Sequence, residues 1–221
     1  MEVLHQEFYG NSILNWAIAV GILILSFVVV KMLYWIFSNV IRRLTSKTKT
    51  NLDDVLIDKL EKPLTYLVLI LGYWISIHYL VFKEEVELAL ENVAYFLLVI
   101  DFTAILSRIV DALITEIIMP ISEKSDSSFD NQLIPVIQKG VRSIIWILGI
   151  IIGLDNIGFD ITAMIAGLGI GGLALALAAQ DSVKNIFAGI MIFLDKPFRI
   201  KDRIQVDGFD GIVEEVGLRS T

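Results

Sequence analysis

Three ionisable side chains interrupt a long apolar stretch of this chain: Asp101, Arg108 and Asp111 lie within Val93–Met119. Spacings of seven and three put them on one stripe of a helix. Charge at membrane depth is costly and must pair or meet water. The stripe therefore supports either an ion or proton pathway, or an Arg–Asp pair that fixes one helical hairpin against its neighbour, with Asp111 near the inner interface. The pairing is the preferred reading. Other reactive chemistry is scarce. There is no cysteine, which excludes disulfides, thiol catalysis and thiolate metal sites. His5 and His78 are too far apart in sequence to suggest a metal site, and His78 reads as interfacial. Gly167-Leu168-Gly169-Ile170-Gly171-Gly172 matches G-x-G-x-x-G, with Asp195 at a fitting distance beyond. Dinucleotide binding needs a preceding strand and a βαβ unit, whereas these glycines sit in an apolar helical stretch. No nucleophile–base set stands at useful spacing. The expectation is a protein that is not an enzyme and uses no cofactor and no metal.

The elements that hold these residues are long and apolar. Of 221 residues, 56% are hydrophobic, and the mean hydropathy is +0.73. The excess falls in blocks long enough to cross a bilayer, about 20 residues per helix. Five are read: Ile13–Phe37, Pro63–Phe82, Val93–Met119, Val136–Leu154 and Ile161–Gln180, the last followed by a weaker stretch, Val183–Leu194. The predicted fold class is an all-α membrane protein. Peripheral hairpins in 1–120 and 121–160 precede a Gly/Ala-rich helix and a following amphipathic helix in 161–195; residues 196–221 begin a small β domain. A net charge of −7 gives no electrostatic support for binding nucleic acid. Met1–Asn11 has no Lys or Arg and no convincing cleavage site follows, so a cleavable signal peptide is not expected.

Basic residues orient the spans. Arg42, Arg43, Lys47, Lys49, Lys59 and Lys62 lie between the first two, and Lys184, Lys196, Arg199, Lys201 and Arg203 follow the fifth. Both regions are predicted to be cytoplasmic, with the N-terminus outside and the C-terminus inside. The loop around Lys124 votes more weakly, because acids are mixed in, and Lys139 and Arg142 can snorkel to the same interface. The loop segments Asn51–Ile57 and Ser128–Ile134 resemble each other at an offset of 77 residues. Each has a polar cap and an acidic first turn ahead of an apolar helix. Two short amphipathic starts can coincide, but a duplicated helical hairpin is the preferred reading.

Nine of the fifteen residues in Ala166–Gln180 are glycine or alanine. Glycine in a helix interior costs up to about 1 kcal/mol relative to alanine, and close helix approach is the usual offset in membranes. At about 100° per residue, Leu173, Leu177, Ala166, Ile170 and Gln180 form one stripe. Small residues flank it on both sides. A helix pair needs one smooth side; two imply neighbours left and right, and rotation closes such contacts into a ring. Leu173 and Leu177 would then form stacked apolar collars that gate by dewetting, with Gln180 and Lys184 continuing the same face inward. A helix packed within one subunit's bundle is the alternative.

At this point a family resemblance is plain. Gly169 to Arg203, with Gln180, Asn185, Gly189 and Lys196-Pro197-Phe198-Arg199, and then Asp207–Val216, resembles the small-conductance mechanosensitive channel (MscS) family. The resemblance covers about Ile161–Thr221. It implies a homoheptamer in the prokaryotic cell membrane. Such a channel opens under tension and passes ions and small solutes on hypo-osmotic shock, so its partners are itself, lipids and those solutes. It puts the pore constriction at Leu173 and Leu177. The packing ridge falls on Ala166, Gly169, Gly172, Ala174, Ala176 and Ala178, and the hinge at Gln180 and Asp181 with a second at Gly189. Many members carry glycine where this chain has Asp181, which can cap a helix beginning at Ser182. Arg203–Val206 and Gly211–Val216 read as strands around the turn Asp207–Asp210. Two strands are marginal alone, so a truncated form is expected. A secondary transporter and a non-conducting assembly are the rival readings.

Overall fold

A computed structural model describes residues 7–36, 39, 51–120, 128–217 and 220–221. His5, the basic loop with Arg42, Arg43, Lys47 and Lys49, and the loop around Lys124 lie outside the described residues. The chain divides into two compact units, Met1–Ile161 and Thr162–Thr221. Its described helices include five long and apolar enough to cross a membrane, and a small antiparallel sheet follows the last.

The first unit opens with a hairpin that sequence reading missed. Strands β1 (Glu7–Phe8) and β2 (Asn11–Ser12) pair antiparallel around Tyr9-Gly10. Both turn residues have positive φ, 50° and 77°, as a type I′ turn requires. Asn11 is fully buried. Its side chain accepts a hydrogen bond from the Val81 amide at 2.7 Å and donates one to the Val81 carbonyl at 2.7 Å. One amide thus imitates a strand pairing and clasps the chain start to a distant loop.

Four helices follow: α1 (Ile13–Ile36), α2 (Asn51–His78), α3 (Glu84–Leu113) and α4 (Ser128–Asn156). Each packs against the next. α3 continues through a π-helical turn, Ile114–Ile118. It begins at Glu84, ahead of the apolar span at Val93, because Glu84, Glu85 and Glu87 favour its N-terminal turn. α2 ends at His78, short of Phe82; Tyr79 and Leu80 donate to the carbonyls of Ser76 and Ile77 in tight closing turns.

The two hairpins repeat each other at a stride of 77 residues. α2 and α4 start at Asn51 and Ser128; α1 and α3 end at Ile36 and Leu113. A β-carbon on Gly72 would collide with the Ser26 side chain, and one on Gly149 with Thr103, at the equivalent pair of positions. Ser26 Oγ donates to the Ile22 carbonyl at 2.8 Å, and Thr103 Oγ1 to the Val99 carbonyl at 2.7 Å. Ser76 Oγ reaches the Ala19 carbonyl at 3.0 Å. At the equivalent place a β-carbon on Gly153 would sit 2.9 Å from the Phe96 ring. In each hairpin a small residue on the returning helix lets the backbones approach, as membrane helices without a hydrophobic driving force require.

The predicted pairing among Asp101, Arg108 and Asp111 is not a direct ion pair: Arg108 lies within electrostatic reach of Asp101, but Arg108 and Asp111 make their hydrogen bonds to neighbouring helices. Pro63 lies inside α2 and has no N–H, so the Lys59 carbonyl one turn earlier loses its in-helix partner. Arg108 Nη1 on α3 donates to that carbonyl at 2.8 Å. Asp111 faces α4 instead. It accepts from Gln138 Nε2 at 3.0 Å and meets Arg142 at 3.7 Å. Asp101 is buried, and its Oδ2 finds no hydrogen-bond partner.

The second unit holds α5 (Thr162–Asp195), β3 (Arg203–Val206) and β4 (Phe209–Ile212). Lys196, with φ of +49°, closes α5 in the left-handed region, its amide donating to the Ile192 carbonyl at 3.0 Å. Pro197 follows and cannot continue the helix. The strands pair antiparallel, with Val206 opposite Phe209. Only Asp207-Gly208 lies between, at φ of 49° and 86°, a type I′ turn favoured by Asp-Gly. The predicted second strand, Gly211–Val216, is thus shifted: β4 begins two residues earlier and ends at Ile212.

Candidate pore helix

α5 has 34 residues. At 1.5 Å per residue it is about 51 Å long, against roughly 30 Å of hydrocarbon. Its more apolar half, Ala163–Gln180, reaches about 27 Å and matches the bilayer; the rest carries Asp181, Lys184 and Asp195. No residue of α5 is buried. Leu173 and Leu177, one turn apart, are 62% and 63% exposed. Ala166, Gly169, Gly172, Ala174, Ala176 and Ala178 are all exposed as well. The residues expected to form the constriction and the ridge therefore share one exposed helix of the second unit.

The glycines are the informative part. A β-carbon added at Gly167, Gly169, Gly171 or Gly172 meets no atom within 4 Å. Four interior glycines cost a helix about 3–4 kcal/mol relative to alanine. Among the described residues, nothing within 4 Å of these positions offsets that cost.

The helix runs without interruption through Gln180, Asp181 and Ser182. Asp181 therefore does not cap a new helix, which corrects the expected N-cap. Its carboxylate instead meets Lys184 Nζ at 3.3 Å, one turn on, an i,i+3 pair of the kind that supports a continuing helix. Gly189 also lies within regular helix.

Beyond α5 a compact turn sets the direction of the strands. Asp202 donates its amide to the Arg199 carbonyl at 3.0 Å, and its carboxylate accepts from the Arg199 amide at 2.7 Å. Val213, one of the few buried apolar side chains, exchanges backbone bonds with this corner: Lys201 donates to its carbonyl and its amide donates to Asp202. Across the strands Arg203 donates to both oxygens of Asp210, at 2.9 and 2.8 Å. That fork holds the Asp210 carboxyl below its ordinary range and raises the Arg203 guanidinium.

Asp101, Arg108 and Asp111 all lie in the first unit. Sequence reading missed the partners of two of them, Lys59 and Gln138. The signal available was Pro63, because a proline inside a span frees a carbonyl that some donor must satisfy.

Comparison with known proteins completes the picture. Residues 139–180 match a family model described as mechanosensitive ion channel, transmembrane helices 2/3. Residues 181–221 match one described as mechanosensitive ion channel, beta-domain. The border falls inside α5, between Gln180 and Asp181, while α1 to α3 lie outside both matches. The small-conductance mechanosensitive channel MscMJ of Methanocaldococcus jannaschii is 35% identical over 99% of this chain and 62% of its own length. The large-conductance mechanosensitive channel MscMJLR of the same organism is 32% identical, over the whole chain and 61% of its own length. An uncharacterized MscS family protein of Bacillus subtilis, YhdY, is 29% identical over the whole chain and 59% of its own length. The chain thus spans about three fifths of the length of these three relatives.

Proposed function

The chain belongs to the MscS family of mechanosensitive channels, and from that premise we propose that it forms the membrane part of a tension-gated channel subunit whose copies ring a pore lined by α5. The observation that carries this reading is the row of α5 glycines with empty space where a neighbour belongs. Copies of α5 on either side fill that space along the ridge Ala166, Gly169, Gly172, Ala174, Ala176 and Ala178. The Leu173 and Leu177 collars then face the axis, where a narrow apolar ring excludes water and stops ions. Tension favours the state of larger in-plane area and shifts the population toward it. Smooth glycine and alanine flanks let the pore helices slide and tilt, which withdraws the leucines.

Seven copies, the N-terminus outside and the C-terminus inside are the arrangement we assign, with ions and small solutes released on hypo-osmotic shock in a prokaryotic cell membrane. Gln180, Asp181 and Gly189 are the places where α5 bends as the ring opens. The Asp181–Lys184 pair is exposed and adds little resistance to that bend.

The test is patch-clamp of purified protein in liposomes. Tension-activated current is expected, and Leu173→Ser channels should open at lower tension than wild type. A Leu173→Ser channel needing the same or greater tension removes the collar. Saturable, ion-coupled uptake with no tension-gated current would instead support a transporter.

A further inference from the structure

Each hairpin is clasped within itself by the close approaches at Ser26–Gly72 and Thr103–Gly149. The two hairpins meet through α2 and α3, and the described polar links there fall at two depths. Near the outer end, Tyr73 Oη donates to the Leu90 carbonyl at 3.4 Å, and His78 Nε2 lies 3.3 Å from Glu91. The His78 side chain is half exposed, so water can replace that link. Toward the inner end stands the single bond from Arg108 to the Lys59 carbonyl, at 2.8 Å.

That inner bond differs in kind. Pro63 has stripped Lys59 of its helical donor, so the carbonyl depends on Arg108. The bond is part-buried between α2 and α3, and breaking it takes from the carbonyl the donor that stands in for the missing helical N–H. The guanidinium also lies within electrostatic reach of buried Asp101 on its own stripe. At the equivalent place in the first hairpin stands Lys31, whose ammonium lies 5.7 Å from the Phe27 ring on its own helix. The cation reaches across only where another hairpin precedes it.

We infer that Arg108 is a positioning residue, the joint through which the first hairpin pulls on the second. Resting on the tension-gated reading above, it adds where the force passes. Apolar helix faces slide past one another, but a directional, charge-assisted bond resists separation. Lateral pull on α1 and α2 is therefore delivered to α3 at Lys59 and Arg108.

The test is a pair of substitutions read two ways on the full chain in liposomes and detergent. Arg108→Met leaves the carbonyl bare. It should lower the unfolding temperature by about 3–6 °C and raise the tension needed for opening. Adding Pro63→Ala returns an N–H to the Lys59 carbonyl. The double variant should regain the unfolding temperature yet still open only at raised tension, because the carbonyl is satisfied but the tether is gone. Arg108→Lys, which keeps one donor, should fall between. Conducting Arg108→Met channels that open at wild-type tension overturn the joint. An unfolding temperature that Pro63→Ala does not restore overturns the pairing behind it. Wild-type protein without tension-gated current removes the channel reading itself, an outcome distinct from any change seen in the variants alone.

Discussion

In the hairpins, Gly72, Gly149 and Gly153 each face a side chain of the adjoining helix; in α5, Gly167, Gly169, Gly171 and Gly172 face open space. The two groups are chemically identical and sit in similarly apolar helices. What separates them is where the offsetting contact lies. A hairpin glycine is accounted for inside the chain, as room for Ser26, Thr103 or Phe96. An α5 glycine has no such account among the described residues, and the proposed ring would supply it from a neighbouring copy. Glycine content by itself says that backbones approach closely; only the surroundings say whose backbones they are.

The sharpest way to break this contrast is to place the same bulk in both regions. Gly172→Leu should abolish most of the assembled form, a more than tenfold fall in the oligomer by native mass spectrometry, while the unfolding temperature of the chain barely moves. Gly149→Leu should do the reverse. Overpacking against Thr103 costs about 1–3 kcal/mol, read as an unfolding temperature several degrees lower. Equal losses of stability in the two variants would dissolve the distinction. A smaller effect sharpens it: Gly72→Ala should destabilise by about 1 kcal/mol, and Ser26→Gly should restore most of that loss by vacating the same space. A rescue by Ser26→Gly of Gly149→Leu, whose neighbour is Thr103, would argue against the assigned contacts.

The smallest effect belongs to the β3–β4 hairpin, where exposure leaves the Arg203–Asp210 fork to solvent. Asp210 is held below its ordinary range in the folded hairpin, so the fork contributes above the usual carboxylate range and is lost as pH falls through the lowered value. Amide shifts of Arg203 and Asp210 should therefore move on acidification while oligomer content stays constant. Asp210→Asn should remove that titration.

Much of this was legible in sequence for physical reasons. Apolar runs of bilayer length announce their helices whatever their partners, and the likeness of Asn51–Ile57 to Ser128–Ile134 pointed to a repeat whose contacts now align residue for residue. Polar flanks were harder. The third span was read from Val93, so the helix start at Glu84 was missed, although acids suit a helix start. Asp181 looked like a cap because its type prefers that place, but Lys184 one turn on gives it a helical partner. The bond from Arg108 to Lys59 was hidden most deeply, since a backbone carbonyl has the same appearance at every position and only Pro63 marks this one. The hairpin at Tyr9-Gly10 was too short to show a period.

The 77-residue stride bears on how such a protein can grow. Each unit carries both halves of its own fastening, a hydroxyl residue on one helix and a glycine on the next, and so needs nothing from its surroundings but a face to lean against. A bundle built this way can lengthen by whole hairpins, each new one leaning on the last.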